Sequence, residues 1–382
     1  MRYLMVGAGL SGAVMARAFA EAGHNVLVID ERPHIAGNCF TERDPETNVM
    51  VHKYGPHIFH TENEEVWSYV NRFTKMRPYV NRVKAVVGNN VYSLPINLFT
   101  INQFFGKLFG PAEAKGFLES QARLDIENPN TFEEQALRFV GNDLYQAFFA
   151  GYTKKQWGCE PSELPASILK RLPIRFNYDD NYFSHPYQAI PELGYTHLVE
   201  NILNIDGIDL KLGCRFEDLT EEFSHIFYSG PLDRYFGYRL GRLGYRTLDF
   251  EAFRAEGDFQ GTAVINYCDF EVPYTRITEH KHFAPWESAE LDRTICFREF
   301  SRECTPRDIP YYPIRLIQEK KLLSEYVAQA NLEKNVTFIG RLGTYRYLDM
   351  DVCIGEALTG ARVALERLRQ AAPLPVFFNA PI

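Results

Sequence analysis

At 382 residues the chain is long for one hydrophobic core, so two or three domains are expected. Hydrophobic residues at 46% and charged residues at 24% describe a soluble globular protein, and a net charge of -8 argues against nucleic acid or an anionic membrane as the main partner. Seven scattered cysteines with no C-x-x-C pair exclude a disulfide framework, a zinc site and a thiol relay.

Met1 leads almost at once into an apolar strand, and no apolar run approaches the ~18 residues of a membrane span. A cytoplasmic chain with reduced thiols is expected. Tyr3 to Val6 reads as a buried strand, Gly7, Gly9 and Gly12 as G-x-G-x-x-G, Val14 to Ala22 as a helix closed by Gly23, and Val26 to Ile29 as a second strand ending at Asp30. Gly7 permits a tight turn, Gly9 admits a pyrophosphate to the backbone, and Gly12 lets the helix pack on the strand. The helix N-terminus favours phosphate, and Asp30 stands where a ribose hydroxyl would be bound. This predicts a dinucleotide site.

Two features favour FAD over NAD. The acid is followed by "ERPHIAGN", ending in Gly37-Asn38, a loop able to approach a diphosphate. Near the other end, residues 336 to 368 read as an apolar strand, a polar loop and a striped helix returning to the first domain. That loop would aim Arg341 at the pyrophosphate, and Asp349 and the N–H of Met350 at the flavin end. Asp349 or Asp351 also reads as an ordinary helix N-cap.

Between these ends, "YGPHIFHT" sets His57 and His60 three apart, with no acidic third ligand for a metal. "RVKAVVGNNVYSL" reads as a hairpin turning at Asn89-Asn90. Residues 97 to 170 are helical in pattern, with a capping box at Thr131 and Glu134. Within them Phe148 and Tyr152 fall on one helical face, either core or binding surface. "GIDLKLGCRFEDL" returns to the nucleotide domain, and the alternating aromatic segments up to residue 315 predict a mixed or antiparallel sheet. The Pro-rich end is expected to be poorly ordered.

The fold expected is therefore α/β: a discontinuous Rossmann-like FAD-binding domain, an inserted helical domain and a mixed or antiparallel β-sheet domain. Its segments are 1–75 with about 195–230 and 316–368 (FAD), 96–175 (helical), 76–95 with about 176–194 and 231–315 (sheet), and 369–382 (tail).

Six motifs in order, "YGPHIFHT", "GYTKKQWG", "LPIRFNYDDNYF", "YSGPLDRYFGYRLGRL", "VPYTRITEHKHF" and "GRLGTYRYLDMD", strongly resemble the bacterial UDP-galactopyranose mutase family over about residues 1 to 368. Ala36 and Gly244 depart from the family pattern, where a glycine and a proline are common. The resemblance implies an isomerase that converts UDP-galactopyranose to UDP-galactofuranose on reduced FAD without net redox change. Flavin N5 attacks the anomeric carbon and displaces UDP, and the iminium adduct recloses through another hydroxyl. It implies Arg171 and Arg276 on the diphosphate, Arg171 on a mobile lid. It implies Trp157 on uracil, with Phe148, Phe149, Tyr152 and Thr153 along the nucleoside. Asn81, Tyr182, Asn266, Tyr312 and Tyr347 match further substrate contacts, Tyr311 could exchange with Tyr312, and Glu299 and Arg246 match polar groups near the sugar.

His57 and His60 would flank and tune the flavin, with a general-base role also open. Toward the cofactor the resemblance places Gly7, Gly9, Ser11, Gly12, Asp30, Glu31, Gly37, Asn38, His57, Ile58, Phe216, Arg341, Tyr347, Asp349 and Met350. A homodimer, an external reductant and a place in cell-wall polysaccharide synthesis are implied by the same analogy; a metal, nucleic acid and a membrane span are not. Two alternatives share the fold: an FAD-dependent oxidase or dehydrogenase, and a non-enzymatic GDP-dissociation-inhibitor-like binding protein.

Overall fold

The computed structural model describes residues 2–171, 174–314 and 317–381; the side chains of Ser167, Lys170, Arg171, Ile317 and Gln318 lie outside that description. Five parallel strands form the nucleotide-domain sheet in the order Ile208–Leu212, Asn25–Asp30, Arg2–Val6, His225–Tyr228, Val336–Phe338. The inner strands Asn25–Asp30 and Arg2–Val6 carry apolar runs because both faces are covered, whereas the edge strand Ile208–Leu212 is largely exposed. On one face, helices Leu10–Glu21, Gly194–Leu203 and Met350–Arg369 bury Val14, Phe19, Ile202 and Ala361 against Met5, Val28 and Phe227. On the other, Leu4, Leu27 and Ile29 meet Cys214 and Phe216. Gly12 is required: a Cβ there would stand 1.9 Å from the Gly7 carbonyl oxygen.

A seven-stranded sheet runs Tyr312–Pro313, Tyr245–Glu256, Arg293–Glu303, Arg276–Glu279, Val264–Tyr267, Val83–Val87, Asn90–Leu94. All its pairs are antiparallel except Val264–Tyr267 with Val83–Val87. The hairpin turns at Gly88-Asn89, not Asn89-Asn90, because Val87 pairs with Asn90 and Gly88 supplies the positive φ of +56°. A small third sheet, Phe59–Thr61, Tyr187–Pro191, Met76–Pro78, was not foreseen in the sequence.

The helical insertion carries the expected capping box, with Thr131 Oγ1 accepting from Glu134 N at 3.2 Å. Helix Phe132–Leu144 continues through a π-helical turn, Tyr145–Ala150, into helix Gly151–Trp157. Lys155 ties this insertion to the large sheet. Its Nζ donates to the carbonyls of Tyr267, Asp269, Val272 and Tyr274 at 2.7, 2.7, 2.9 and 3.1 Å.

The Pro-rich segment packs against the outermost strand of the nucleotide sheet. Phe338 N donates to Val376 O at 2.8 Å, Thr337 Oγ1 to Pro375 O at 2.6 Å, and Phe377 stacks on Phe338. Prolines suppress helix and sheet, but the aromatics between them supply the burial that anchors the segment.

Candidate active site

One cleft of about 1120 Å³ opens at the carboxyl ends of the parallel strands, where Val6, Asp30 and Tyr228 line it. It is of a size with the largest small-molecule sites, ~1,000 Å³. Gly7, with φ +105°, makes the turn; a side chain there would strike Ser229. Gly9 and Gly37 face each other so closely that a Cβ on Gly37 would lie 3.3 Å from the Gly9 Cα. Ala36 holds φ +69°, a left-handed conformation that costs a non-glycine residue roughly 1 kcal/mol. Burial and a 2.9 Å bond from its N–H to Ala8 O keep it there.

Asp30 spends both oxygens on the backbone, accepting from Ala8 N and Arg32 N at 2.9 Å each. It braces the glycine loop first of all. Glu31 lines the cleft beside it, its carboxylate held by Arg234 Nη1 at 2.8 and 2.9 Å. Ser11, Asn38, Ile58 and Phe216 also line the cleft, while Gly12 sits behind it.

The late helix Met350–Arg369 opens into the same space. Asp349 occupies its N-cap position, yet makes no side-chain capping bond. The helix head therefore keeps free amides and its positive end toward the cleft, where Met350 and Cys353 lie. Arg341 donates to Tyr311 O and places its guanidinium 5.2 Å from the Tyr347 ring centre; Tyr312 and Tyr347 stack at 5.6 Å. Glycine cradle, paired helix N-termini and cleft volume fit FAD.

The large sheet supplies the opposite wall. Its register places Asn266, Arg276 and Glu299 in one row across three strands. Arg276 Nε pairs with Glu299 Oε1 at 3.0 Å, and Thr275 Oγ1 donates to the same oxygen at 3.1 Å. Burial alone would lower the Arg276 pKa, but Glu299, 1% exposed, and nearby tyrosine hydroxyls hold it above the usual arginine value. The 3.0 Å contact is an ion pair without hydrogen-bond geometry, so the buried Nε–H is left without a hydrogen-bond partner among the described residues. Asn81 Oδ1 and Asn266 Oδ1 are buried without a hydrogen-bond partner among the described residues, two acceptors suited to ligand donors.

An adjoining cavity of about 120 Å³ is lined by Phe148, Phe149, Tyr152, Thr153 and Trp157. Tyr152, Tyr182 and Asn266 line both cavities and stand between them. Phe148, Phe149, Tyr152 and Thr153, at i, i+1, i+4 and i+5, share one helical face across the π-helical turn and the helix that follows it.

One expected residue is not brought to the cleft, and the side chain of another lies outside the described residues. Arg246 does not line it: its Nε donates to Gln156 O at 3.1 Å and Ser301 Oγ at 3.2 Å, tying the helical insertion to the sheet. Arg171 ends a 3₁₀ segment, Ala166–Arg171, and its side chain lies outside the described residues, as does Pro173.

His57 and His60 both line the cleft. His57 Nδ1 donates to Gly55 O at 2.8 Å, so the neutral ring offers Nε2 as an acceptor. Burial pushes its pKa down to about 4, against the raising effect of the Gly55 carbonyl and with Arg341 adding to the shift. Behind it, His52 Nδ1 accepts from His57 N and His280 Nδ1 from His52 N, at 3.0 and 3.2 Å. Burial pushes His52 well down and His280 to about 3. His60 stacks on Phe183 at 3.8 Å and shares a 2.8 Å Nδ1–Nδ1 hydrogen bond with His185. Sequence reading missed His185, because 125 residues separate the two rings and no local spacing links them. Among the described residues the trio with metal-ligand spacing, Asp258, Glu279 and His282, lies away from the cleft.

The three buried rings carry a pH prediction. Their pKa values are depressed in the fold, while the unfolded chain titrates near 6.5. The unfolded state therefore binds protons first on acidification. Stability is complete above pH ~6.5 and falls toward pH 4, by up to about 1.4 kcal/mol per pH unit for each group. Denaturant midpoints measured from pH 7.5 to 4.5 should drop, and His280→Gln should flatten the slope; a flat wild-type profile contradicts the assignment.

Comparison with known proteins agrees with this arrangement. A family model described as UDP-galactopyranose mutase matches residues 147–347, and a model for an NAD(P)-binding Rossmann-like domain matches residues 5–73. The chain is 59% identical over 375 residues to a probable UDP-galactopyranose mutase of Klebsiella pneumoniae, covering 98% of this chain and 97% of that one. It is 51% identical to a dTDP-fucopyranose mutase of Escherichia coli, covering 97% and 100%. A crystal structure of reduced UDP-galactopyranose mutase matches the fold with a TM-score of 0.74 at 15% identity, over 97% of this chain and 96% of that one. Glycine cradle, Arg276–Glu299 row and aromatic side cavity thus sit on a chain that matches one family over nearly its whole length: it belongs to the UDP-galactopyranose mutase family.

Proposed function

We propose that the protein interconverts UDP-galactopyranose and UDP-galactofuranose with FAD bound in the glycine-lined half of the cleft. The observation that carries this reading is the buried Arg276–Glu299 pair beside the Tyr312–Tyr347 stack, across from the cofactor cradle. Reduced FAD, when bound, supplies a nucleophilic nitrogen for the sugar's anomeric carbon. Arg276 lines the cleft and binds the diphosphate, countering the charge that develops as UDP departs. Arg171 is the second candidate cation. Tyr312 and Tyr347 donate hydroxyls to the same phosphates, and Trp157 stacks on the base with Phe148, Phe149, Tyr152 and Thr153 around the nucleoside. Asn81, Tyr182 and Asn266 orient the sugar. The bare Nε2 of His57 accepts a hydrogen bond at the cofactor ring.

A homodimer, an external reductant, a cytoplasmic site of action and a role in polysaccharide synthesis go with this proposal; no helix of the described residues is long and apolar enough to cross a membrane. The 51% identity to a dTDP-fucopyranose mutase supports a second reading, in which a dTDP-6-deoxyhexose is the substrate. Purified protein should be yellow and, once chemically reduced, convert UDP-galactopyranose to the furanose form without consuming oxygen; oxidised protein should not. A parallel assay with dTDP-fucopyranose ranks the two substrates. Peroxide formation coupled to substrate loss would instead identify an oxidase, and a colourless preparation would point to a binding protein.

A further inference from the structure

We propose that His185 and His60 form a two-ring proton relay between the active-site cleft and solvent. The inference rests on the mutase reading above.

His60 stands on strand Phe59–Thr61, and His185 precedes strand Tyr187–Pro191; these strands pair, which brings the two Nδ1 atoms to 2.8 Å. A bond between two Nδ1 atoms needs one to donate and the other to accept. Each ring then has only Nε2 left for other partners. His60 lines the cleft, whereas His185 is half-buried between exposed Ser184 and Pro186. The pair thus runs from the reaction space to water. Phe183 clamps the His60 ring at 3.8 Å, so the shared bond is held rather than transient.

The charged surroundings suit a moving proton. Burial, the largest influence, and His185 hold His60 below the usual histidine pKa, while Asp349, which makes no helix-capping bond, and Asp351 pull the other way and favour a proton on the ring. On the outer side Arg175 Nη2 donates to Ser184 Oγ at 3.2 Å, beside His185.

Each transfer balances. A proton arriving at His60 Nε2 makes that ring an imidazolium. Its Nδ1 proton crosses to the lone pair of His185 Nδ1. His185 sheds its own Nε2 proton to water. The pair gains one proton and loses one, and it is left with the bridging proton on His185, ready to run only in reverse. Ring contraction requires that alternation. The ring oxygen must take a proton when it leaves the anomeric carbon, and the hydroxyl that recloses must lose one, with no net change.

The test uses the reduced holoenzyme. His185→Ala should slow turnover by about a hundredfold, the lower end of measured acid–base contributions. Added imidazole should restore the rate in proportion to its concentration. His185→Gln can still hydrogen-bond to His60 Nδ1 but cannot pass a proton, so it should be as slow as the alanine variant. A glutamine variant at the wild-type rate would reduce His185 to a structural prop, and an alanine variant unmoved by imidazole would overturn the relay.

A second readout needs no turnover. Imidazole ¹⁵N shifts of His60 and His185 should titrate together in the wild-type holoenzyme, and His60 should titrate alone in His185→Gln. Independent titration in the wild type would overturn the proposal. Coupled titration in an enzyme that forms no furanose product would instead leave the relay standing and refute the mutase reading.

Discussion

Arg276→Ala should lower turnover by about 10³-fold or more while the protein stays yellow, in keeping with the loss of a charged group that stabilises the developing transition-state charge. The cofactor cradle is built from Gly7, Gly9, Gly37 and the head of helix Met350–Arg369, none of which depends on Arg276. The variant leaves Glu299, 1% exposed, without its cation, so it should also be less stable. Adding Glu299→Gln separates the two effects: the double variant should regain thermal stability and remain inactive. Arg276→Lys keeps a charge but loses the planar fork and should fall between. Rates measured with chemically reduced protein, together with flavin absorbance, decide the matter. An Arg276→Ala variant with most of its activity would remove the diphosphate assignment.

The second large effect concerns stability. Lys155→Met should destabilise the protein by about 1–3 kcal/mol, the range for leaving buried hydrogen-bond acceptors unpaired. Four carbonyls converge on one ammonium, and an apolar side chain leaves them unsatisfied between the helical insertion and the sheet. Lys155→Arg should not rescue, because a planar guanidinium cannot direct its donors to four acceptors arranged around a point. Flavin content should survive, since the cage lies outside the cofactor cleft, while nucleotide affinity should weaken as Trp157 and Thr153 shift. Thermal melts and UDP titrations test both halves. A Lys155→Met variant melting like wild type would show that the cage contributes nothing net.

The nucleotide domain was readable in the sequence because its rules are local. Three glycines, a capped helix and a terminal acid must sit at fixed spacing for a backbone to approach a diphosphate, and they do so within 30 residues. The alternating segments announced a sheet for the same reason. What escaped notice is tertiary. Whether Asp349 caps its own helix or leaves it open depends on which partners surround it in space, and both choices fit the sequence. Arg246 shares residue type and neighbourhood with a ligand-binding arginine, but packing turns it toward Gln156 and Ser301. The Phe148–Tyr152 spacing suggests an ordinary helical stripe and leaves open whether it faces a core or a cavity; only packing decides that, and the π-helical turn beneath Phe148 has no signature in composition. The His60–His185 contact is set by strand pairing between segments 125 residues apart.

Residues 373 to 378 fasten the outermost strand of the nucleotide sheet by accepting from Phe338 N and Thr337 Oγ1 and laying Phe378 over Gly360. That strand leads directly into Gly340 and Arg341 at the mouth of the cleft. Shortening the protein after Ala372 would bare a sheet margin to other molecules and loosen the foundation of the cleft's phosphate-facing loop. Purification tags therefore belong beyond Ile382 rather than in place of the final residues.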